Sequence, residues 1–214
     1  MVGHIEVFNP VVSELKKRIS HNDVGKIYKV HCERLSPFPQ RIVDVGVIVD
    51  FAIHEIYSLK NLVDSGVKRV YTETAQRIHS SHEDLLIGTL RFENGILGVI
   101  NANWLTPKKV RKITVTGEKG MFVANYLAQE LFFYENEFTK NNMDYNSGFM
   151  NVTEGKRIEI KIEKKEPLKN ELEIFLDSIH NNSEVPVTGQ DGLDALNIAL
   201  KFIDSSKKNK VVEL

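Results

Sequence analysis

Two side chains able to handle a proton stand four apart in an otherwise apolar stretch: Asp50 and His54, within Val-Ile-Val-Asp-Phe-Ala-Ile-His-Glu-Ile-Tyr-Ser-Leu-Lys-Asn-Leu-Val at residues 47–63. On an α-helix this spacing puts both on one face, about one turn apart. A carboxylate beside an imidazole raises its basicity and fixes its orientation, which suits a group that takes a hydroxyl proton near neutral pH. The plainer alternative is a solvated i,i+4 surface pair. Ile48, Val49, Phe51, Ala52, Ile53, Ile56, Leu59, Leu62 and Val63 occupy most of the circumference, so a largely buried helix is expected, whose polar residues need a reason.

Other chemistry is thinner. His79-Ser-Ser-His82 with Glu83 and Asp84 offers two imidazoles and two carboxylates, but it lies between strands and lacks a convincing third and fourth ligand; a solvated turn is expected and no metal site. Cys32 falls on a strand, where a small core residue is the expectation rather than a nucleophile. The glycines form neither G-x-G-x-x-G nor a P-loop; Gly95 with Gly98 and Gly117 with Gly120 suit turns. The run Lys108-Lys109-Val110-Arg111-Lys112 reads as a solvated strand entry or an anion clamp.

The bulk properties set bounds. The 214 residues can bury a sizeable core, and 28 Lys plus Arg against 29 Asp plus Glu give no global attraction to nucleic acid or an anionic membrane. One cysteine excludes a disulfide framework and points to a reducing, cytoplasmic setting. No apolar run approaches the about 20 residues of a membrane span.

Residues 2–8 read as a short strand without a nearby partner. A helix follows at 10–20, with Asn9 as N-cap and Pro10 in its first turn, then a strand at 26–34 and a loop at 35–45 that leads into the Asp50/His54 helix. Beyond Gly66 the period changes to two, giving strands at 67–78, 85–92, 96–105, 110–116, 121–126, 131–134 and 157–163, with Asn94-Gly95 as a type I′ hairpin turn. A polar loop, expected to be mobile, occupies 136–155. Pro167 opens a helix whose core face would be Leu168, Leu172, Phe175 and Ile179, and Thr188 with Asp191 resembles a capping box for a last helix facing inward through Leu193, Leu196, Leu200 and Ile203. The expected fold is one α+β domain on a large, mostly antiparallel open sheet with helices on one face. Many strands carry apolar residues on both faces, so the second face is expected to be covered by another subunit.

Val2-Gly-His-Ile-Glu-Val-Phe-Asn-Pro10, residues 34–39, Asp44 through His54, Asn103-Trp-Leu-Thr-Pro-Lys-Lys109, Thr114-Val-Thr-Gly117 and Pro186 through Leu196 resemble the C-terminal part of glucose-fructose oxidoreductase / inositol dehydrogenase (Gfo/Idh/MocA) enzymes, most in look those that oxidise position 3 of UDP-N-acetylglucosamine-type substrates. The resemblance implies a C-terminal domain of the dihydrodipicolinate-reductase/glyceraldehyde-phosphate-dehydrogenase-like kind. An N-terminal Rossmann domain that binds NAD or NADP precedes it in the family and is absent here, so residues 1–9 would be the remnant of its last strand and linker, and 10–214 the substrate-binding and oligomerisation domain. It further implies that His54 takes the sugar hydroxyl proton with Asp50 orienting or relaying. Arg41, Lys109, Arg34 and Trp104 would contact a sugar or nucleotide-sugar substrate, the first two by loop position and charge, and His4 the cofactor. The family's Glu-Lys-Pro lysine has no counterpart; Lys165-Glu166-Pro167 permutes the letters. Relatives often carry Arg where Val7 stands, and His-Asp-Ile-Asp where this chain reads His54-Glu55-Ile56-Tyr57. The expectations are therefore no tight cofactor binding and no turnover by this chain alone, a possible Rossmann-domain partner, and a homo-oligomer built on the sheet face. The other reading is a non-catalytic scaffold or ligand-binding module.

Overall fold

The computed structural model describes residues 1–40, 42, 44–79, 81–138 and 152–214. Its helices are α1 (Pro10–Ser20), α2 (Ile53–Val63), α3 (Pro167–His180) and α4 (Gly189–Lys208). Its strands are β1 (Ile27–Leu35), β2 (Val67–Ala75), β3 (Leu85–Phe92), β4 (Leu97–Asn103), β5 (Val110–Gly117), β6 (Gly120–Asn125), β7 (Glu130–Phe138), β8 (Val152–Ile160) and β9 (Val212–Glu213). Among the described residues these nine make one open sheet in the order β8-β7-β6-β5-β1-β4-β3-β2-β9. Only the β1–β4 pair is parallel; the other neighbours are antiparallel.

Period-two alternation decides which side chains go inward. Val30 and Cys32, Leu86 and Leu90, Ile100 and Ala102, and Ile113 and Val115 all point to one face and are buried there under α1, α2 and α4. The opposite face has no cover among the described residues: Ile87 is 50% and Leu97 41% exposed, with Tyr71, Val99, Val123 and Phe132 partly so.

Local signals hold at several helix starts. Asn9 Oδ1 accepts from Val11 N at 3.2 Å with Pro10 in the first turn, and at α4 Thr188 Oγ1 accepts from Asp191 N while Asp191 Oδ2 accepts from Thr188 N, a closed capping box.

Several expectations are corrected. Residues 2–8 are not a strand: Val2 N donates to Val187 O, and Ile5–Phe8 is a 3-10 turn that buries Phe8. Its backbone N–H groups find partners within the segment, His4 N to Val2 O and Val7 N to His4 O, besides the Val2 bond to Val187. The 93–95 connection is a hairpin, but only Gly95 has positive φ (87°) and its N–H returns to Phe92 O. That is a type I turn followed by a left-handed glycine, not a type I′ turn. The loop expected over 136–155 is partly strand, since β7 runs to Phe138 and β8 begins at Val152; 139–151 lie outside the described residues. The expected core face of α3 and, apart from Ile203, that of α4 point outward. Leu172 and Ile179 of α3 are 51% and 63% exposed, and Leu193 and Leu200 of α4 are each 50% exposed. Helix α4 instead buries Ala195, Ile198, Ala199, Phe202 and Ser205 against the sheet. Small residues let its axis approach the strands closely, and this second face outcompetes the leucine stripe.

Candidate active site

The helix carrying Asp50 and His54 is not a uniform α-helix. Ile48–Ala52 forms a π turn in which Ile53 N donates to Ile48 O, an i→i+5 bond, before the chain settles into α2. Asp50 lies on the widened turn and His54 on the first turn of α2. The start of this turn is held from outside: Val47 N donates to Glu83 O at 2.9 Å and Ile48 N to Glu83 Oε1 at 3.2 Å. The Glu83 carboxylate thereby caps the positive end of the helix. It occupies the space a Cβ at position 46 would need, which is why Gly46 precedes the turn.

Glu83 belongs to the His79–Asp84 segment, expected as a solvated turn, in which His79 and Asp84 are instead buried and act as a clasp. Asp84 is fully buried and accepts from the N–H groups of Arg77, Ile78 and His79 at 2.6–3.0 Å. These bonds hold its carboxyl below the usual range against the opposing effect of burial. His79 Nδ1 accepts from Ser81 N at 3.1 Å and His82 N at 3.0 Å. His79 Nδ1 and the Glu83 and Asp84 carboxylates are thus engaged by backbone N–H groups.

His54 is held by another histidine. Its Nδ1 lies 3.2 Å from Nδ1 of His4, with the rings edge to face. His4 is buried and stacks on Tyr57 at 4.6 Å between centroids. Burial first, then Arg34, the neighbouring His4 and Arg111, push His54 down to about 3. Burial also lowers His4, opposed by the negative charge of Asp191. Tyr57 is pushed up to about 12, by burial and then by Asp191. The two imidazoles are therefore neutral at pH 7 and share one hydrogen-bonding proton.

Beneath them lies an ion cluster. Arg34 Nη1 donates to Glu6 Oε1 at 2.6 Å and to Glu55 Oε1 at 3.0 Å, with Glu55 fully buried. On β5, Arg111 pairs directly across from Arg34, two like charges side by side. Burial, and next the charge of Arg34, lower Arg111 to about 10, with Glu55, Glu6 and Asp50 opposing. Both guanidinium groups face the ring of Phe51, at 5.0 and 4.7 Å. Arg111 donates to the backbone oxygens of Leu35 and Val110, which fix its position.

The structure thus gathers Asp50, His54, His4 and Arg34 into one region. Arg34 is an ion-pair partner with little surface left for a ligand, and Trp104, expected to touch substrate, is fully buried, edge-on to Phe38 and Phe51 and stacked on His79. A large ring with both neighbours aromatic packs best in the interior, and Trp104 serves as the floor under Phe51. Lys109 is exposed in the β4–β5 connection, and Arg41 lies outside the described residues. Sequence reasoning missed Arg111, which it grouped with a surface run, as well as Glu6, Glu55 and Tyr57. Only the β1–β5 register, joining strands far apart in the sequence, sets Arg111 opposite Arg34. Cys32 is confirmed as a core residue, its thiol pushed up by burial and so kept protonated.

Comparison with known proteins agrees with this architecture. The family model described as GFO/IDH/MocA C-terminal domain matches residues 12–123. The uncharacterized oxidoreductase YrbE of Bacillus subtilis (strain 168) is 24% identical over 208 residues, covering 92% of this chain and 58% of its own length. UDP-N-acetylglucosamine 3-dehydrogenase GnnA from Acidithiobacillus ferrooxidans superposes with a TM-score of 0.77 at 20% identity, covering 96% of this chain and 61% of that one. Levoglucosan dehydrogenase in complex with NADH and levoglucosan gives a TM-score of 0.81 at 18% identity, covering 100% and 65%. The structural likenesses show the fold, and the chain spans roughly three-fifths of the length of these relatives. With more than half of its residues matched by the family model, the chain belongs to the GFO/IDH/MocA family, whose C-terminal domain it contains.

Proposed function

We propose that the chain is the substrate-binding and oligomer-forming domain of an NAD(P)-dependent sugar or nucleotide-sugar dehydrogenase, with His54 as the base for the hydroxyl being oxidised and Asp50 orienting it or relaying its proton. The observation that carries this reading is the engagement of His54 Nδ1 by His4 on a turn clamped by Glu83. With Nδ1 occupied, Nε2 is the nitrogen left for base chemistry. Arg111, lowered by burial and then by the charge of Arg34, suits an anionic nucleotide-sugar, whose charge would oppose the contributions of Arg34 and Arg111 to the lowering of His54.

When bound, NAD or NADP would accept the hydride from the sugar carbon. This chain's residues fit a contact to the reacting end and not a seat for the dinucleotide: the buried Nε2 of His4 has no hydrogen-bond partner among the described residues, whereas the 214 residues contain no glycine-rich phosphate loop. A Rossmann domain must then sit beside His4. The apolar outer face of α3 and the leucines of α4 are the surface we assign to it, because residues 2–8 run against α3 and the start of α4, so a domain joined or docked at that end meets this face first. The open sheet face, with Tyr71, Ile87 and Leu97, is the surface for a second copy. A cytoplasmic setting accords with a buried, unpaired Cys32.

The test is a turnover screen with NAD and NADP against UDP-sugars and free sugars, using the chain alone and mixed with a separately expressed Rossmann domain of the family. The expected result is no turnover alone and turnover of a nucleotide-sugar by the mixture. Turnover by the chain alone would overturn the division of labour. The two uncovered apolar faces also favour a second reading, a non-catalytic scaffold; under it, the mixture would stay inactive while the chain still oligomerised.

A further inference from the structure

We propose that His4 is a positioning residue for His54: its Nδ1 accepts the Nδ1–H of His54 and so fixes the tautomer whose Nε2 carries a lone pair. This rests on the reading of His54 as the base. A 3.2 Å contact between two Nδ1 atoms allows one proton, so one ring donates and the other accepts. If His4 donated, His54 would carry its proton on Nε2 and could not take another there without first losing it.

The surroundings choose the direction. The cations Arg34 on β1 and Arg111 on β5 act on His54 and acidify its N–H, whereas Asp191 at the start of α4 acts on His4 and makes its lone pair the better acceptor. Other ionisable groups of the neighbouring elements include Asp50 on the π turn, Glu6 on the 3-10 turn, Glu55 and Tyr57 on α2, and Glu171 of α3 beside Gly3. Glu6 and Glu55 are tied to Arg34, and Tyr57 stays neutral at its raised value. Stacking on Tyr57 fixes the plane of the His4 ring and so the direction of its lone pair.

In the reaction the hydroxyl O–H bond breaks as its proton moves to His54 Nε2, while the C–H bond breaks, its hydride passing to the NAD or NADP of the proposed reaction, and the C–O bond becomes a carbonyl. His54 becomes an imidazolium, and the positive charge strengthens its Nδ1–H bond to the neutral His4 acceptor. The Nε2–H that this tautomer places on His4 is the buried donor without a partner among the described residues, so an acceptor at that point belongs to the assembled site.

The experiment reads the tautomer directly, without activity. In the 15N-labelled chain at pH 7.5, two-bond proton–nitrogen correlation spectra, with His54 assigned by its loss in His54→Asn, should show Nδ1 protonated and Nε2 bare. His4→Phe keeps a ring for Tyr57 but removes the acceptor, and His54 should shift toward the Nε2–H form; His4→Asn, whose amide oxygen accepts, should restore Nδ1–H. Nε2–H in the wild-type protein, or no change in His4→Phe, would overturn the proposal, and the wild-type spectrum decides if His4→Phe fails to fold. In the mixture with a Rossmann domain, His4→Phe should lower kcat by about 10²- to 10⁴-fold with KM little changed, and His4→Asn should recover part of it. A full kcat in His4→Phe would also overturn it. Should His54 itself prove dispensable for turnover while the tautomer responds as stated, the reading of His54 as base fails and the positioning contact stands.

Discussion

Replacing Arg34 by Met removes the only cation that bridges the buried Glu55 and the partly buried Glu6 among the described contacts, and its cost can be worked from the geometry. Arg34 is 8% exposed and Glu55 0%, with Nη1 to Oε1 at 3.0 Å and a second carboxylate, Glu6, at 2.6 Å. At an effective dielectric of about 20, a 3 Å pair attracts by about 5 kcal/mol, and breaking a buried pair by deleting one partner typically costs about 3–5 kcal/mol. Against a total stability of about 5–15 kcal/mol this is a large fraction. The deficit must also depend on pH. Burial already raises Glu55, and Arg34 opposes that rise. Without Arg34 the Glu55 carboxyl rises further, so the variant suffers most at high pH and regains stability as pH falls and Glu55 takes a proton. Urea melts followed by circular dichroism at pH 8 and 5.5 measure both effects, and Arg34→Met/Glu55→Gln should recover much of the loss at pH 8. A loss below about 1 kcal/mol at pH 8, or one that grows as pH falls, would refute the reasoning.

Three more outcomes are expected. His54 sits at about 3 in the fold against 6.5 when unperturbed, so its contribution is complete above pH 6.5 and fades as pH drops toward 3. By pH 4.5 the wild type should have lost about 2–3 kcal/mol that His54→Asn does not lose, a difference in the slope of stability against pH that equal slopes would disprove. Glu83→Ala should cost about 1 kcal/mol through the helix start, and Gly46→Ala, harmful in the wild type because it displaces the Glu83 carboxylate, should cost much less in the Glu83→Ala background; additive losses would contradict the shared space. Asp84→Asn should cost about 1.5–3 kcal/mol at pH 7 by weakening its bonds to three backbone N–H groups, with the gap to wild type closing as acid protonates Asp84 through its lowered pKa; a gap that persists in acid would count against the clasp.

What could be read from the chain and what could not divide along the range of the forces involved. The start of α1, the Thr188/Asp191 box and most strands follow from side chains within a few residues of each other, and they stand as expected. The apolar pattern of 47–63 gave a helix but not its π turn, because the pattern is blind to whether a bond closes at i+4 or i+5. The inward face of α4 was misjudged since leucines and the Ala195/Ile198/Phe202 stripe are both apolar, and only the sheet's need for close approach separates them. The spacing singles out Asp50 and His54 together, but the partner described for His54 comes from position 4, which only the tertiary fold brings within 3.2 Å, and His54 is lowered and not raised. Arg111 was hidden in the same way, since its place depends on β5 pairing with β1.

The most direct test of the central claim is turnover by the chain mixed with a Rossmann domain, comparing wild type with His54→Gln on the sugar-nucleotide that the screen identifies. The account predicts a fall in kcat of about 10²- to 10⁴-fold with substrate KM changed only a few-fold, since the lost group acts on the proton and not on binding. Unchanged kcat in His54→Gln would contradict it.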